Sequence, residues 1–393
     1  MDNGVIFGAG AIGRGFMGQL FTASGYAVTF VDIDASLIAT INQRGAYTLT
    51  LVDASGSRDA QVSPVKGLLS TDSDAVTAEL ATATLGATAV GTRALAEIAP
   101  LIARGVRRRM DAGVQVPLNI LVCENIPQAA GTLRALVESH LTAEAQVYAR
   151  QHLGLADVVI GRMVPEPTRE MRARDLSAIV AEPYAELPVD RAGLIGEPPR
   201  IMGMHAVQPF SPWIARKLFL HNAVHALMGY LGYRRGLQYG YEALEDPIVR
   251  PVLAAAMGEA EAGLAAVHGF DVGDLMGHVA RLWPRLANRA LADPVRRLAR
   301  DPLRKLASDD RLVGPARCAE KAGVSPDGLA WGIAGALSYD AAGDSAAMEI
   351  QRRIAEEGVE AVLQSVSGIA PKEPLGGLVL ERYALLREGE WLA

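Results

Sequence analysis

Residues 4–13 read Gly4-Val5-Ile6-Phe7-Gly8-Ala9-Gly10-Ala11-Ile12-Gly13, and Arg14-Gly15-Phe16-Met17-Gly18-Gln19-Leu20-Phe21 follows directly. A short apolar run bounded by glycine reads as a buried strand, and the stretch after it has the apolar spacing of a helix. The G-x-G-x-x-G spacing between them puts Gly8 in a tight turn out of the strand. It puts Gly10 where backbone must approach a ligand, and Gly13 where helix and sheet lie close. Such spacing also arises by chance in a chain with 40 glycines; its position between strand and helix is what gives it meaning. The helix start offers main-chain N–H groups to phosphate oxygens.

The next apolar run, Tyr26 to Asp32, ends in a carboxylate about twenty residues past the glycines, where a dinucleotide fold needs an acceptor for the adenosine ribose hydroxyls. Asp32 and Asp34 would repel a 2′-phosphate, so the expected cofactor is NAD rather than NADP. The expected contacts are Gly8, Ala9, Gly10, Ala11, Ile12, Gly13 and Asp32.

Moving outward, residues 1 to about 190 keep alternating short β-rich runs with helical patterns, which predicts a parallel sheet covered by helices. Asn119 to Val122 are apolar around a single amide, as a strand buried on both faces requires. A Pro/Gly-containing stretch, Gly193 to Gly203, reads as a connection. From Ser211-Pro212, a good helix start, the pattern is almost wholly helical. The expected fold class is α/β: a Rossmann-type doubly wound parallel sheet over residues 1–195, then a mostly α-helical domain over 196–393.

A chain of 393 residues exceeds what one hydrophobic core usually supports, so two domains fit its length. The net charge of −6 argues against nucleic acid and anionic membranes as partners. Apolar stretches are broken before the roughly 18–20 residues needed to cross a bilayer. The first strand starts so early that no export signal is expected, which points to the cytoplasm. Cys123 and Cys318 are too few for a disulfide framework and lack CxxC spacing.

The helical half contains Lys217-Leu218-Phe219-Leu220-His221-Asn222-Ala223-Val224-His225. On a wheel of about 100° per residue with Lys217 at zero, His221 falls near 40°, His225 near 80° and Asn222 near 140°. Phe219, Leu220, Ala223, Val224 and Leu227 fill the opposite side, leaving one packed face and one polar arc. Oxidation of an alcohol needs a base for the hydroxyl proton while the cofactor takes hydride, and a lysine serves when burial lowers its pKa. Neutral donors such as Asn222 and His225 can steady the developing oxyanion without a metal. A solvated helix arc has the same composition, so the residues alone leave both readings open. His221 and His225 have the histidine spacing of HExxH but lack its glutamate, so no metal is expected.

The phrases FGAGAIGRGF, ATAVG, LNILVCEN, RKLFLHNAVHA, ARDPLRKLASDDRLVGPA and GIAGAL together resemble the polyol-specific long-chain dehydrogenase/reductase family, also called the mannitol dehydrogenase family, over essentially the whole chain. The K-x4-N-x2-H spacing is the most specific of them. The resemblance implies a metal-independent enzyme with Lys217 as general base, Asn222 and Asn125 as the oxyanion-stabilising pair, and His225 positioning substrate. It adds Val90, Gly91 and Asn125 to the expected cofactor contacts and leans toward a monomer. The family's phosphate-using members share R-x-P-L-R-K-L, which implies that Arg300, Arg304 and Lys305 hold a substrate phosphate. The competing reading is that the basic residues from Arg296 to Arg311 pair with Asp301, Asp309 and Asp310 or face water. The implied reaction interconverts a polyol phosphate and a ketose phosphate, mannitol 1-phosphate and fructose 6-phosphate first among them.

Ala11, Ala215, Gly161 and Leu187 depart from the family pattern, whereas Arg162 and Glu182 keep it, with Arg162 expected at the substrate. These departures leave another polyol, a cyclitol phosphate or a hydroxyacid as alternative substrates. A non-catalytic NAD-binding sensor is the alternative of a different class.

Overall fold

Glycine-bounded apolar runs do form the central strands. In the computed structural model, which describes residues 2–389 and Trp391, the first half contains β1 (Asn3–Phe7), β2 (Ala27–Asp32), β3 (Tyr47–Asp53), β4 (Gly56–Val62), β5 (Val65–Leu69), β6 (Leu85–Thr88), β7 (Leu118–Val122), β8 (Leu153–Asp157), β9 (Ile179–Ala181), β10 (Leu187–Asp190) and β11 (Met204–Val207). Six of them make one sheet in the order β5-β2-β1-β6-β7-β8, and every pair in it is parallel. Chain direction reverses across the sheet between β1 and β6, the switch point at which doubly wound sheets bind ligands.

Side-chain alternation explains why these strands are apolar throughout. Ile6 packs into a cluster with Phe16, Leu20, Phe30 and Leu121 on one face. Val5 and Phe7 pack with Ile98, Ile102, Ile120 and Val122 on the other. Both faces are covered, so both need hydrophobic residues.

Register decides function here. Phe7 pairs with Val31 and with Thr88, and Thr88 pairs with Val122. The residues that follow, Gly8, Asp32, Ala89 and Cys123, therefore stand together at the C-terminal edge of the sheet, Asp32 as the last residue of β2.

Two features of this half were not read from the sequence. β3 and β4 form an antiparallel hairpin inserted between β2 and β5 and extended by β9. Its alternating Tyr47, Leu49 and Leu51, all buried, are the signal that marks such a strand. β10 pairs in parallel with β11, which ties residues 204–207 to the first half. The chain accordingly divides between Phe210 and Ser211, fifteen residues beyond the expected boundary at 195; the Pro/Gly stretch taken as a connection is a loop within the first unit.

The second unit is helical among its described residues, as the pattern from Ser211 implies. One helical run from Ser211 to Arg234 lies against helices Val249–His268, Val295–Ala299 and Asp327–Leu337. Leu220, Leu227, Leu253, Met257, Leu312 and Ile333 are fully or almost fully buried in its core. No helix among the described residues is long and apolar enough to cross a membrane.

Candidate active site

In the first unit the glycine loop is shaped by its own backbone. Gly8 has φ +93°, and a Cβ there would lie 2.3 Å from the Ala89 carbonyl oxygen. Both the left-handed conformation and the close approach demand glycine. At Gly13 a Cβ would meet the Gly8 oxygen at 1.9 Å, so the helix start folds tightly back on the turn. At Gly10 a Cβ would meet nothing within 4 Å; this is the open side on which a phosphate can reach the amides of the first helical turn.

The loop is held by two charged residues. Asp32 Oδ2 accepts from the Ala9 amide at 2.6 Å, and Oδ1 accepts from the Asp34 amide at 2.9 Å. Arg14, which is buried, donates from Nε to the Ala9 carbonyl at 2.5 Å and onward to the Ser177 carbonyl. Burial draws the Arg14 pKa down, and the phenol of Tyr47 donates to the Arg14 carbonyl at 2.6 Å. Asp32 thus shapes the loop, and each of its oxygens keeps a second lone pair for a ribose hydroxyl. Asp34 caps the next helix through the Ser36 and Leu37 amides.

A cavity of about 390 Å³ opens at this edge, with Gly10, Asp32, Ile33, Val90, Ile98 and Leu101 in its lining. Apolar walls beside a carboxylate and an open glycine loop fit an adenosine and its pyrophosphate. Ala11 and Ile12 are partly exposed at the helix start. Val90 and Gly91 lie across from the glycine loop, but their amides donate to Glu124, at 3.1 and 2.9 Å. Asn125 follows as an exposed residue. Sequence reasoning passed over Glu124, although it stands next to Asn125 in the same phrase.

Arg162, expected at the substrate, is held by the first unit's own backbone. It is buried and donates to the carbonyls of Gly15 at 2.9 Å and Tyr184 at 2.5 Å, and to Gln19 Oε1 at 2.6 Å. Its guanidinium also stacks over Phe16, 4.7 Å from the ring centre. These bonds brace the glycine-loop helix.

In the second unit, residues Lys217–Asn222 form a π-turn within the long helix, with the Ala223 amide reaching back to the Leu218 carbonyl. A π-turn takes one more residue per turn than an α-turn, so residues five apart come onto one face. The α-helical wheel put Asn222 well away from Lys217; the wider π-turn narrows that angle. Phe219, Leu220, Ala223, Val224 and Leu227 are buried, while Lys217, Asn222 and His225 stay partly exposed.

Burial lowers the Lys217 pKa to about 8, and Arg311 lowers it further. Burial also holds His225 down at about 4, with Asp293 pulling the other way. His221 is pushed well below its ordinary value by burial and by His225, whose ring stands edge-on 4.6 Å away. Both imidazoles are therefore neutral near pH 7, and the lysine is poised to exchange a proton.

The basic segment is only partly one patch. Arg297 pairs with Asp293, Arg304 with Asp301 at 3.3 Å, and Arg311 with Asp310 at 2.7 Å. Lys305 is buried, donating to the Leu298 carbonyl and lying over the Tyr230 ring; burial, then Arg311 and Arg304, draw its pKa to about 7. The positive field at His225 comes from Arg297, Arg285 and Lys305, and that at Lys217 from Arg311. Arg300 stands exposed at the end of helix Val295–Ala299. Arg285 and His278, both on helix Val272–Leu286 and both acting on His221, carry no sequence signal that separates them from other helical residues. No group of His, Cys, Asp and Glu among the described residues could hold a metal ion.

A doubly wound sheet with a dinucleotide loop, followed by a helical unit bearing a lysine of lowered pKa, defines a nicotinamide-dependent dehydrogenase of the two-domain kind. The profile of the mannitol dehydrogenase Rossmann domain matches residues 2–203 and that of the mannitol dehydrogenase C-terminal domain matches residues 209–376, so the chain belongs to the mannitol dehydrogenase family.

Among its relatives, mannitol-1-phosphate 5-dehydrogenase of Bacillus pumilus (strain SAFR-032) is 38% identical over 376 residues, 95% of this chain and 98% of the relative. The enzyme of the same name from Bacillus subtilis (strain 168) is 37% identical over 380 residues, covering 96% and 98%. Pseudomonas fluorescens mannitol 2-dehydrogenase, solved as a ternary complex with NAD and D-mannitol, superposes with a TM-score of 0.74 at 17% identity, over 100% of this chain and 93% of its own. A substrate-free D-sorbitol dehydrogenase does so with 0.80 at 17%, over 99% and 93%. These two structures share the fold.

Proposed function

We propose that this oxidoreductase interconverts mannitol 1-phosphate and fructose 6-phosphate with NAD, using Lys217 as the general base. The observation that carries the reading is a lysine brought to a pKa of about 8, on one π-turn with Asn222, where arginines supply a field suited to a phosphorylated substrate. Full-length relatives named for the same reaction support it.

NAD, when bound, accepts the hydride. Neutral Lys217 Nζ takes the proton of the polyol hydroxyl, and the amide of Asn222 donates to the oxygen as negative charge develops. Asn125, at the sheet edge where the dinucleotide lies, is the proposed second amide donor. Neutral His225 orients a substrate hydroxyl. In ketose reduction the Lys217 ammonium returns the proton.

A panel of free and phosphorylated polyols and hydroxyacids, each with NAD and NADP, tests the reading. Turnover confined to a hexitol phosphate with NAD is expected. Preference for a hydroxyacid, for a free polyol or for NADP would refute it, and NAD binding without hydride transfer to any of them would leave a sensor.

A further inference from the structure

Glu124 is a buried carboxylate that the reaction scheme does not use. It lies two residues beyond β7, at the common edge of the sheet, and is 9% exposed. Its two oxygens accept separately from the Val90 and Gly91 amides, which bridges the loop after β6 to the loop after β7. Among the described residues no lysine or arginine forms an ion pair with it. A buried carboxylate satisfied by amides alone keeps its negative charge available to whatever lies beside it.

Asp32, at the end of β2, and the cavity beside it would hold the adenosine, and the loop after β1 the pyrophosphate. The second mononucleotide half of a doubly wound sheet, here β6, β7 and β8, would then receive the nicotinamide at its strand ends. The nicotinamide ring is positively charged when oxidised and neutral when reduced.

We propose that Glu124 is a positioning residue with an electrostatic function: it fixes the Val90–Gly91 loop and, through its charge, favours binding of oxidised over reduced cofactor. The inference rests on the NAD reading above. At an effective dielectric of about 20, one unit charge roughly 12 Å from another changes affinity by about tenfold.

The test is the pair of dissociation constants for NAD⁺ and NADH, measured by calorimetry or fluorescence without substrate. Glu124→Gln keeps the shape and removes the charge, and is expected to weaken NAD⁺ by about tenfold while changing NADH by less than about threefold. Glu124→Asp keeps the charge on a shorter arm, so it is expected to weaken both forms while leaving their ratio as in the wild type. Equal weakening of both forms by Glu124→Gln overturns the proposal and reduces Glu124 to a loop brace. If that variant does not fold, a changed ratio in Glu124→Asp overturns it instead. Failure of the wild type to bind either form refutes the NAD reading, an outcome distinct from both.

Discussion

The helix after the glycine loop and the helix that carries Lys217 both contain a π-turn, Gly13–Gly18 in one and Lys217–Asn222 in the other. All six residues of the first are buried, and three of them are glycines. Its polar work is done by main-chain groups, and its one charged side chain, Arg14, holds carbonyls. The second turn spends its irregularity on side chains, setting Lys217 and Asn222 on one partly exposed face. The first unit therefore binds through shape, whereas the second is suited to reactivity through burial of ionisable groups. Substitutions in the two turns should fail in different ways, binding in one and turnover in the other.

The sharpest separation is expected from Lys217→Met, which removes the base without adding bulk. Turnover should fall by about 10²–10⁴-fold, the usual worth of a general base, with NADH affinity unchanged. A variant that still turns over would show that the proton leaves by another route. In the wild type, the oxidation rate should rise with pH and level off above about 8, because the neutral amine is the active form. Ketose reduction needs the ammonium and should fall through the same range. Profiles that move together would refute Lys217 as the shared group.

On the binding side, Asp32→Ala removes both the acceptor of the Ala9 amide and the proposed ribose ligand. Two lost hydrogen bonds to a charged group correspond to about 3–6 kcal/mol, or roughly a 10²- to 10⁴-fold weaker NAD complex. At saturating cofactor, kcat should change little. A fall in kcat without a change in cofactor affinity would erase the contrast between the units.

Arg162→Met separates the two roles open to this residue, brace and substrate ligand. As a brace, its loss should lower stability by about 3 kcal/mol, roughly 6–12 °C in Tm for a unit of this size, while leaving the substrate KM within about twofold. A raised KM at unchanged Tm would restore Arg162 to the substrate. An arginine that binds carbonyls and one that binds phosphate look the same in a sequence; what separates them is burial against Gly15 and Tyr184, which only tertiary structure supplies.

The same distinction accounts for what was legible. Gly8, Gly13 and the strand runs follow from local rules of conformation and alternation, so the sheet and its dinucleotide edge could be read directly. Lys217, Asn222 and His225 stand out by spacing, but the α-helical wheel does not describe their turn, because a π-turn leaves no clear mark in composition. Glu124, Arg285 and His278 act through partners far away in sequence, on the loop after β6 or on the Lys217 helix. The boundary moved to Phe210 because four residues, Met204–Val207, pair with a strand the loop had hidden.

The smallest effect is expected at Arg300. Its phrase implies a phosphate ligand, yet it stands exposed at the end of its helix. Arg300→Ala should leave the KM for a hexitol phosphate within about twofold, as for a screened surface charge. Arg285→Ala, in the same assay, removes a charge that acts on both His221 and His225 and should raise that KM by about tenfold or more. The reverse order would move the phosphate to the exposed end of helix Val295–Ala299. The paired comparison thus decides whether the substrate's charge is held by the motif arginine or by the field around the buried histidines.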